Sequence, residues 1–163
     1  MSSVNRLSKV FEQYHNTLSE GLTDSPLLTL FITAGYPEMD SFKDLVLSLD
    51  TAGADILEIG MPFSDPLADG PVIQASSQHA LDSGVDLDWI FSTIKEIRAF
   101  SEIPILLMGY FNPVLSYGIE AFCSSAAASG STITVGSDAS PAGVISTVKA
   151  ANIRLAPIVR SYN

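Results

Sequence analysis

Three short apolar segments alternate with amphipathic helical patterns, and this alternation constrains the fold more than any other feature of the chain. The segments lie at residues 27–33, 54–60 and 103–110. The first ends at the Ala-Gly-Tyr-Pro turn of residues 34–37, as is typical of a buried strand. Strands separated by helices predict a parallel sheet with both faces covered. Right-handed crossovers then leave two architectures, an open sheet or part of a (βα) barrel.

The helical patterns repeat apolar residues at intervals of three and four. Pro71 is well placed as the first residue of one helix, and Asp86 or Asp88 is suited to cap the next. Weaker strand patterns follow at residues 132–135 and 154–159. The predicted helices cover residues 4–18, 42–52, 71–81, 90–97, 118–129 and 144–151.

Composition limits the class of protein. A chain of 163 residues, 47% of them hydrophobic, predicts one (βα)-type domain over residues 1–163. A net charge of −10 argues against nucleic acid and anionic membranes as partners. The longest apolar run is about half the ~20 residues of a membrane-spanning helix, so no membrane is expected. The single cysteine, Cys123, allows no internal disulfide and fits a cytoplasmic location.

The second strand carries a carboxylate among apolar residues. Strand alternation places Ile56, Glu58 and Gly60 on one face, and Leu57 and Ile59 on the other. A lone Glu in such a strand is costly to bury unless it is paired, neutralised or used in chemistry. The pattern therefore indicates either a catalytic group or a structural ion pair.

Two more carboxylates, Asp65 and Asp69, follow in the Pro/Gly-rich loop after this strand. Such residues often cap turns, and together with Glu58 they could also form an oxygen-ligand site for Mg²⁺ or Ca²⁺. The loop has neither a dinucleotide fingerprint nor a phosphate-loop lysine. Polar groups at the C-terminal ends of strands favour the barrel over the open sheet.

Four segments resemble the tryptophan synthase alpha subunit family in order and spacing. Residues 58–74, EIGMPFSDPLADGPVIQ, are similar to its longest signature, and residues 30–37, LFITAGYP, to its first strand and loop. Residues 105–113, ILLMGYFNP, and 117–122, YGIEAF, also match. The resemblance extends over residues 4–130 and implies a TIM-type (βα) barrel, incomplete relative to eight repeats and shortened or rearranged at its C-terminal end.

The resemblance implies a carbon–carbon lyase of tryptophan biosynthesis. The family cleaves indole-3-glycerol phosphate to indole and glyceraldehyde 3-phosphate by a retro-aldol reaction. The matching positions make Glu58 the general acid/base and Asp69 the acceptor of the indole N–H. The negative charge of Asp69 would then stabilise the protonated ring. The positions that match residues around the substrate are Phe31, Thr33, Ile73 and Tyr110. A catalytically weak barrel fragment that only binds the partner is the alternative.

The family works with a beta subunit in a cytoplasmic heterotetramer, and that partner carries pyridoxal phosphate. The resemblance thus implies no cofactor and no metal in this chain. Pro62, Asp65 and Asn112 match positions that face the beta subunit. Another phosphosugar enzyme on the same barrel is a third possibility, although a Schiff-base aldolase would need a lysine at the end of a predicted strand, where none occurs.

The C-terminal segment matches the family in two ways. Residues 132–138 can form the fourth strand, with residues 149–159 as the next helix and strand. Alternatively, residues 135–141, VGSDASP, resemble the glycine loop after the seventh strand, which implies an internal deletion. The first placement needs no internal deletion. Under it the family's phosphate site is missing, so turnover of indole-3-glycerol phosphate is expected to be weak or absent.

Overall fold

The computed structural model describes residues 4–22 and 25–135 of the chain. Helices and strands alternate after the first helix. The strands are β1 (Thr29–Thr33), β2 (Ile56–Gly60), β3 (Ile105–Gly109) and β4 (Thr132–Val135). The helices are α1 (Val4–Ser19), α2 (Met39–Thr51), α3 (Pro71–Asp82), α4 (Leu87–Ile97), α5 (Phe111–Tyr117) and α6 (Ile119–Ser129).

The four strands form one parallel sheet in the order β1-β2-β3-β4. Phe31 pairs in register with Glu58, and Glu58 pairs with Leu106. Side chains paired in this way lie on the same face of a sheet. A doubly wound sheet reverses its strand order part-way across the sheet. Here the strands follow one another in chain order, as they do in a (βα) barrel.

One face of the sheet is completely covered. Leu57, Ile59 and Leu107 have no solvent exposure, and they belong to the same core cluster as Phe42 and Phe122 from the helices. Burying a side chain of this size contributes about 1.5–3 kcal/mol, so this layer dominates the stability of the described part. The opposite face, called the inner face below, carries Phe31, Glu58, Gly60 and Leu106.

The predicted strands and helices are largely confirmed, with differences at their ends. β1 and β3 begin two residues later than predicted, at Thr29 and Ile105, and β2 likewise begins at Ile56. Pro71 is the first residue of α3. Of the two candidate caps for α4, Asp86 holds the position, and its carboxylate accepts the Trp89 N–H at 2.8 Å.

The structure departs from the prediction after β3 and on the apolar face of α1. The short helix α5 occupies residues that the pattern left unassigned, directly after β3. The apolar face predicted for α1 is incompletely covered, since Phe11 is 52% and Leu18 44% exposed. The strand at residues 132–135 is confirmed, whereas its continuation to 138 and the elements at 144–151 and 154–159 lie outside the described residues.

No helix within the described ranges combines the length and apolar character needed to cross a membrane.

Candidate active site

The candidate site lies at the C-terminal edge of the sheet. All four strands run in the same direction, so the segments after β1, β2 and β3 meet at that edge. In barrels this is the edge on which catalytic groups collect. Thr33, Gly60 and Gly109 end their strands there, and the loop at residues 61–70, called the acidic loop below, follows Gly60.

Glu58 and Phe31 lie side by side on the inner face. Their positions are fixed by the pairing of β1 with β2, in which they are register partners. Glu58 is half-buried, and Phe31 is 38% exposed. The two described ion pairs, Arg6–Glu102 and Lys43–Glu96, do not involve Glu58, and no hydrogen bond within the described residues reaches its carboxylate. The interpretation of Glu58 as a structural ion pair therefore finds no partner in this part of the chain.

The ring of Phe31 lies over Gly60. A Cβ atom at Gly60 would be 2.5 Å from Phe31 Cζ and 2.8 Å from Cε2, closer than real Cβ contacts. Glycine at the end of β2 therefore provides the space in which the ring rests. The aromatic surface next to Glu58 depends on this missing side chain.

The acidic loop is fastened from two sides. From α3, the Gln74 Nε2 amide donates to the carbonyl oxygens of Asp69 at 2.9 Å and Pro66 at 3.3 Å. From the end of β3, the Tyr110 hydroxyl accepts the Ala68 N–H at 2.8 Å. Exposed backbone in a loop would otherwise bond to water, so these contacts hold the loop in one conformation.

The helix α3 is fixed to β1. Thr33 Oγ1 and Ser76 Oγ are 2.7 Å apart and both residues are buried. A second contact joins His79 Nε2 to the Pro37 carbonyl oxygen at 3.0 Å. Ile73 is half-buried in the first turn of this helix.

Two of the residues predicted to face a partner, Pro62 and Asn112, line one groove of about 520 Å³. Val85, Asp88 and Tyr117 also line it. Pro62 itself is buried, whereas Asn112 is exposed. The third predicted residue, Asp65, is exposed in the acidic loop outside this groove, where its Oδ2 accepts the Ser64 hydroxyl at 2.6 Å.

The structure thus places all the predicted site residues at the C-terminal edge or on the inner face near it. In the part of the chain that is described, no group of three His, Cys, Asp or Glu side chains is arranged to hold a metal ion, so the three-carboxylate alternative lacks its ligand set. Gln74, Ser76 and Gly60 support the site, although the sequence did not mark them as site residues. Gly60 contacts Phe31 and Ser76 bonds to Thr33, both distant in sequence, whereas Gln74 bonds to Asp69 and Pro66, five and eight residues earlier.

The sequence profile of the tryptophan synthase alpha chain family matches residues 22–160. The chain belongs to this family. The tryptophan synthase alpha chain of Geotalea daltonii is 50% identical over 103 residues, covering 63% of this chain and 39% of the relative. That of Maridesulfovibrio salexigens is 45% identical over 124 residues, covering 76% and 48%. The chain therefore spans less than half the length of these curated relatives.

Solved structures of the tryptophan synthase alpha family share the fold. Tryptophan synthase subunit alpha of Legionella pneumophila superimposes with a TM-score of 0.84 at 31% identity, over 93% of this chain and 57% of that one. A tryptophan synthase complex from Pyrococcus furiosus gives a TM-score of 0.75 at 36% identity, over 80% and 55%. The predicted fold class, an incomplete TIM-type (βα) barrel, is confirmed, with four strands in the described residues.

Proposed function

We propose that this tryptophan synthase alpha family chain is a carbon–carbon lyase that cleaves indole-3-glycerol phosphate to indole and glyceraldehyde 3-phosphate in tryptophan biosynthesis. Family membership supports the reaction class. The observation that carries the proposal is the half-buried Glu58 carboxylate, which has no partner among the described residues and lies beside an exposed aromatic ring.

In this proposal Glu58 moves the protons of the retro-aldol step. Cleavage requires a proton on the indole ring carbon that carries the glycerol chain, and the loss of a hydroxyl proton from that chain. A carboxyl group next to both positions can give one proton and take the other. A flat indole ring against Phe31 would bring these atoms to the Glu58 side of the inner face.

Asp69 serves the other end of the ring. Its proposed role is to accept the indole N–H, so that its negative charge stabilises the positive charge of the protonated ring. Two carboxylates thereby hold different roles, one for proton transfer and one for charge. Thr33, Ile73 and Tyr110 complete the proposed substrate surface, since α3 and the end of β3 bring them to the same edge.

The proposed partner is a tryptophan synthase beta subunit, which carries the pyridoxal phosphate, in a cytoplasmic heterotetramer. Solved structures from Pyrococcus furiosus include a tryptophan synthase complex and a tryptophan synthase a2b2 complex. The groove that joins Pro62 to Asn112, together with the exposed Asp65 nearby in sequence, supports this edge as the docking surface.

The test is the release of indole from indole-3-glycerol phosphate by the full chain, alone and with a beta subunit. Glu58→Gln is expected to lower turnover by about 10²–10⁴-fold, because it keeps the shape but removes the transferable proton. Glu120→Gln, an exposed glutamate at the start of α6, is the matched control and should change nothing. Unchanged turnover in Glu58→Gln would contradict the assignment. Beta-subunit binding without any indole release by the unmodified chain would favour the fragment that binds without catalysis.

A further inference from the structure

We infer that Gln74 is a positioning residue, which holds the backbone of the acidic loop so that Asp69 points its carboxylate at the site. Both acceptors of its side-chain amide, the Asp69 and Pro66 carbonyl oxygens, are backbone groups within the loop. Because only the NH₂ end of the amide can donate to two carbonyls, this arrangement also fixes the orientation of the side chain. The inference rests on the proposed function for the role of Asp69.

The loop has little support of its own at this point. Two backbone bonds support the turn that precedes Asp69: Leu67 N–H donates to the Asp65 carbonyl at 3.0 Å, and Asp69 N–H donates to the Pro66 carbonyl at a long 3.3 Å. Leu67, inside the turn, is 96% exposed and adds no packing. The loop conformation therefore depends on the side chains that reach it, Gln74 from one side and Tyr110 from the other.

Gln74 reaches the loop from a rigid support. Two residues further along α3, Ser76 is bonded to Thr33 at the end of β1, and β1 is paired along its length with β2. The chain of contacts thus runs from the strand that carries Glu58, through β1 and α3, to the backbone of Asp69. No hydrogen bond to the Asp69 carboxylate occurs in the described residues, so Gln74 acts on this group by fixing the backbone position from which it extends.

The experiment compares Gln74→Met with Gln78→Met in the full chain. Methionine keeps the length of the side chain and removes the donor. Gln78 lies one turn later on α3 and donates to Asp82 Oδ1 at 2.8 Å on the exposed side, so it is a matched control that leaves the loop alone. Amide hydrogen exchange measures how readily the acidic loop opens, and titration with indole measures the affinity of the site.

Gln74→Met should speed amide exchange at residues 67–69 by about tenfold, the effect of losing one to two hydrogen bonds. Exchange in β2 should be unchanged. Indole affinity should fall by about tenfold for the same reason. In an Asp69→Asn background, Gln74→Met should have no further effect on indole affinity, because the residue acts through Asp69. Gln78→Met should match the unmodified chain in both measurements.

Unchanged amide exchange at residues 67–69 in Gln74→Met would overturn the inference, whatever the activity of the chain. Faster exchange with unaltered indole affinity would overturn the positioning role, as would an equal loss of affinity in the Asp69→Asn background. Failure of the unmodified chain to bind indole would count against the proposed function, and exchange alone would then decide whether Gln74 holds the loop.

Discussion

The contact between Gly60 and Phe31 offers a sharp test of how the inner face is built. In Gly60→Ala the added methyl group would lie 2.5 Å from Phe31 Cζ, so the ring must move. The ring can turn away because Phe31 is 38% exposed. The substitution should therefore displace the aromatic surface beside Glu58 without unfolding the sheet.

The magnitude follows from two opposed effects. Overpacking of a well-packed site costs about 1–3 kcal/mol. Because the Phe31 ring is partly exposed and can move, we expect the cost here to be about 1–2 kcal/mol. Replacing glycine by alanine within a strand recovers about 0.5–1 kcal/mol of backbone entropy. Gly60→Ala should therefore lower the free energy of unfolding by roughly 0.5–1 kcal/mol when Phe31 is present, from the difference of these effects. In a Phe31→Ala background, where nothing clashes, the same change should raise it by about 0.5–1 kcal/mol.

The assay is urea unfolding followed by fluorescence of Trp89, the only tryptophan of the chain, which packs against Phe42 in the core. The four members of the double-mutant cycle should give a coupling energy of about 1–2 kcal/mol between positions 31 and 60. Equal effects of Gly60→Ala in both backgrounds would show that the ring does not rest on Gly60, and the geometry of the inner face given above would be wrong.

Two further predictions concern the elements that hold the site. Ser76→Ala leaves the buried Thr33 hydroxyl without its partner and should lower the free energy of unfolding by about 1–3 kcal/mol in the same assay. Ser77→Ala, equally buried on α3 but not bonded to Thr33, is the control, and an equal loss there would refute the role of the bond. Burial raises the pKa of the Cys123 thiol, so the reactive thiolate is scarcer in the folded chain. Maleimide labelling at Cys123 should be at least about a hundredfold slower than in urea, and rapid labelling without urea would contradict its position in the core.

Periodicity was sufficient for the elements that form the covered face. Apolar residues at intervals of three and four predicted the helix over residues 90–97, and its apolar side chains Ile90, Phe91, Ile94 and Ile97 are all buried. The alternation in β2 placed Glu58 opposite Leu57 and Ile59, as found. Such patterns succeed because burial of apolar area is the largest favourable contribution to folding, and it acts on every residue of the element.

The parts that could not be predicted depend on a few polar contacts over long sequence distances. α5 begins directly after β3 with no polar capping side chain, so no start signal marks it. The Tyr110 hydroxyl bonds to Ala68, 42 residues earlier, and Thr33 bonds to Ser76 across 43 residues. Nothing in the local sequence distinguishes these side chains from any other tyrosine or serine near a turn.

The two proposed catalytic carboxylates are positioned by different kinds of structure, and this difference decides how each responds to substitution. Glu58 is placed by the backbone ladder between β1 and β2, which is part of the core, so a change that moves it also lowers stability. Asp69 is placed by a loop that depends on Gln74 and Tyr110, each bond contributing about 0.5–1.5 kcal/mol. Losing one of these bonds leaves the sheet intact, because none of the residues in the core cluster takes part. Substitutions in the acidic loop should therefore lower indole affinity without lowering the free energy of unfolding. Substitutions that move Glu58 in the strands should lower both.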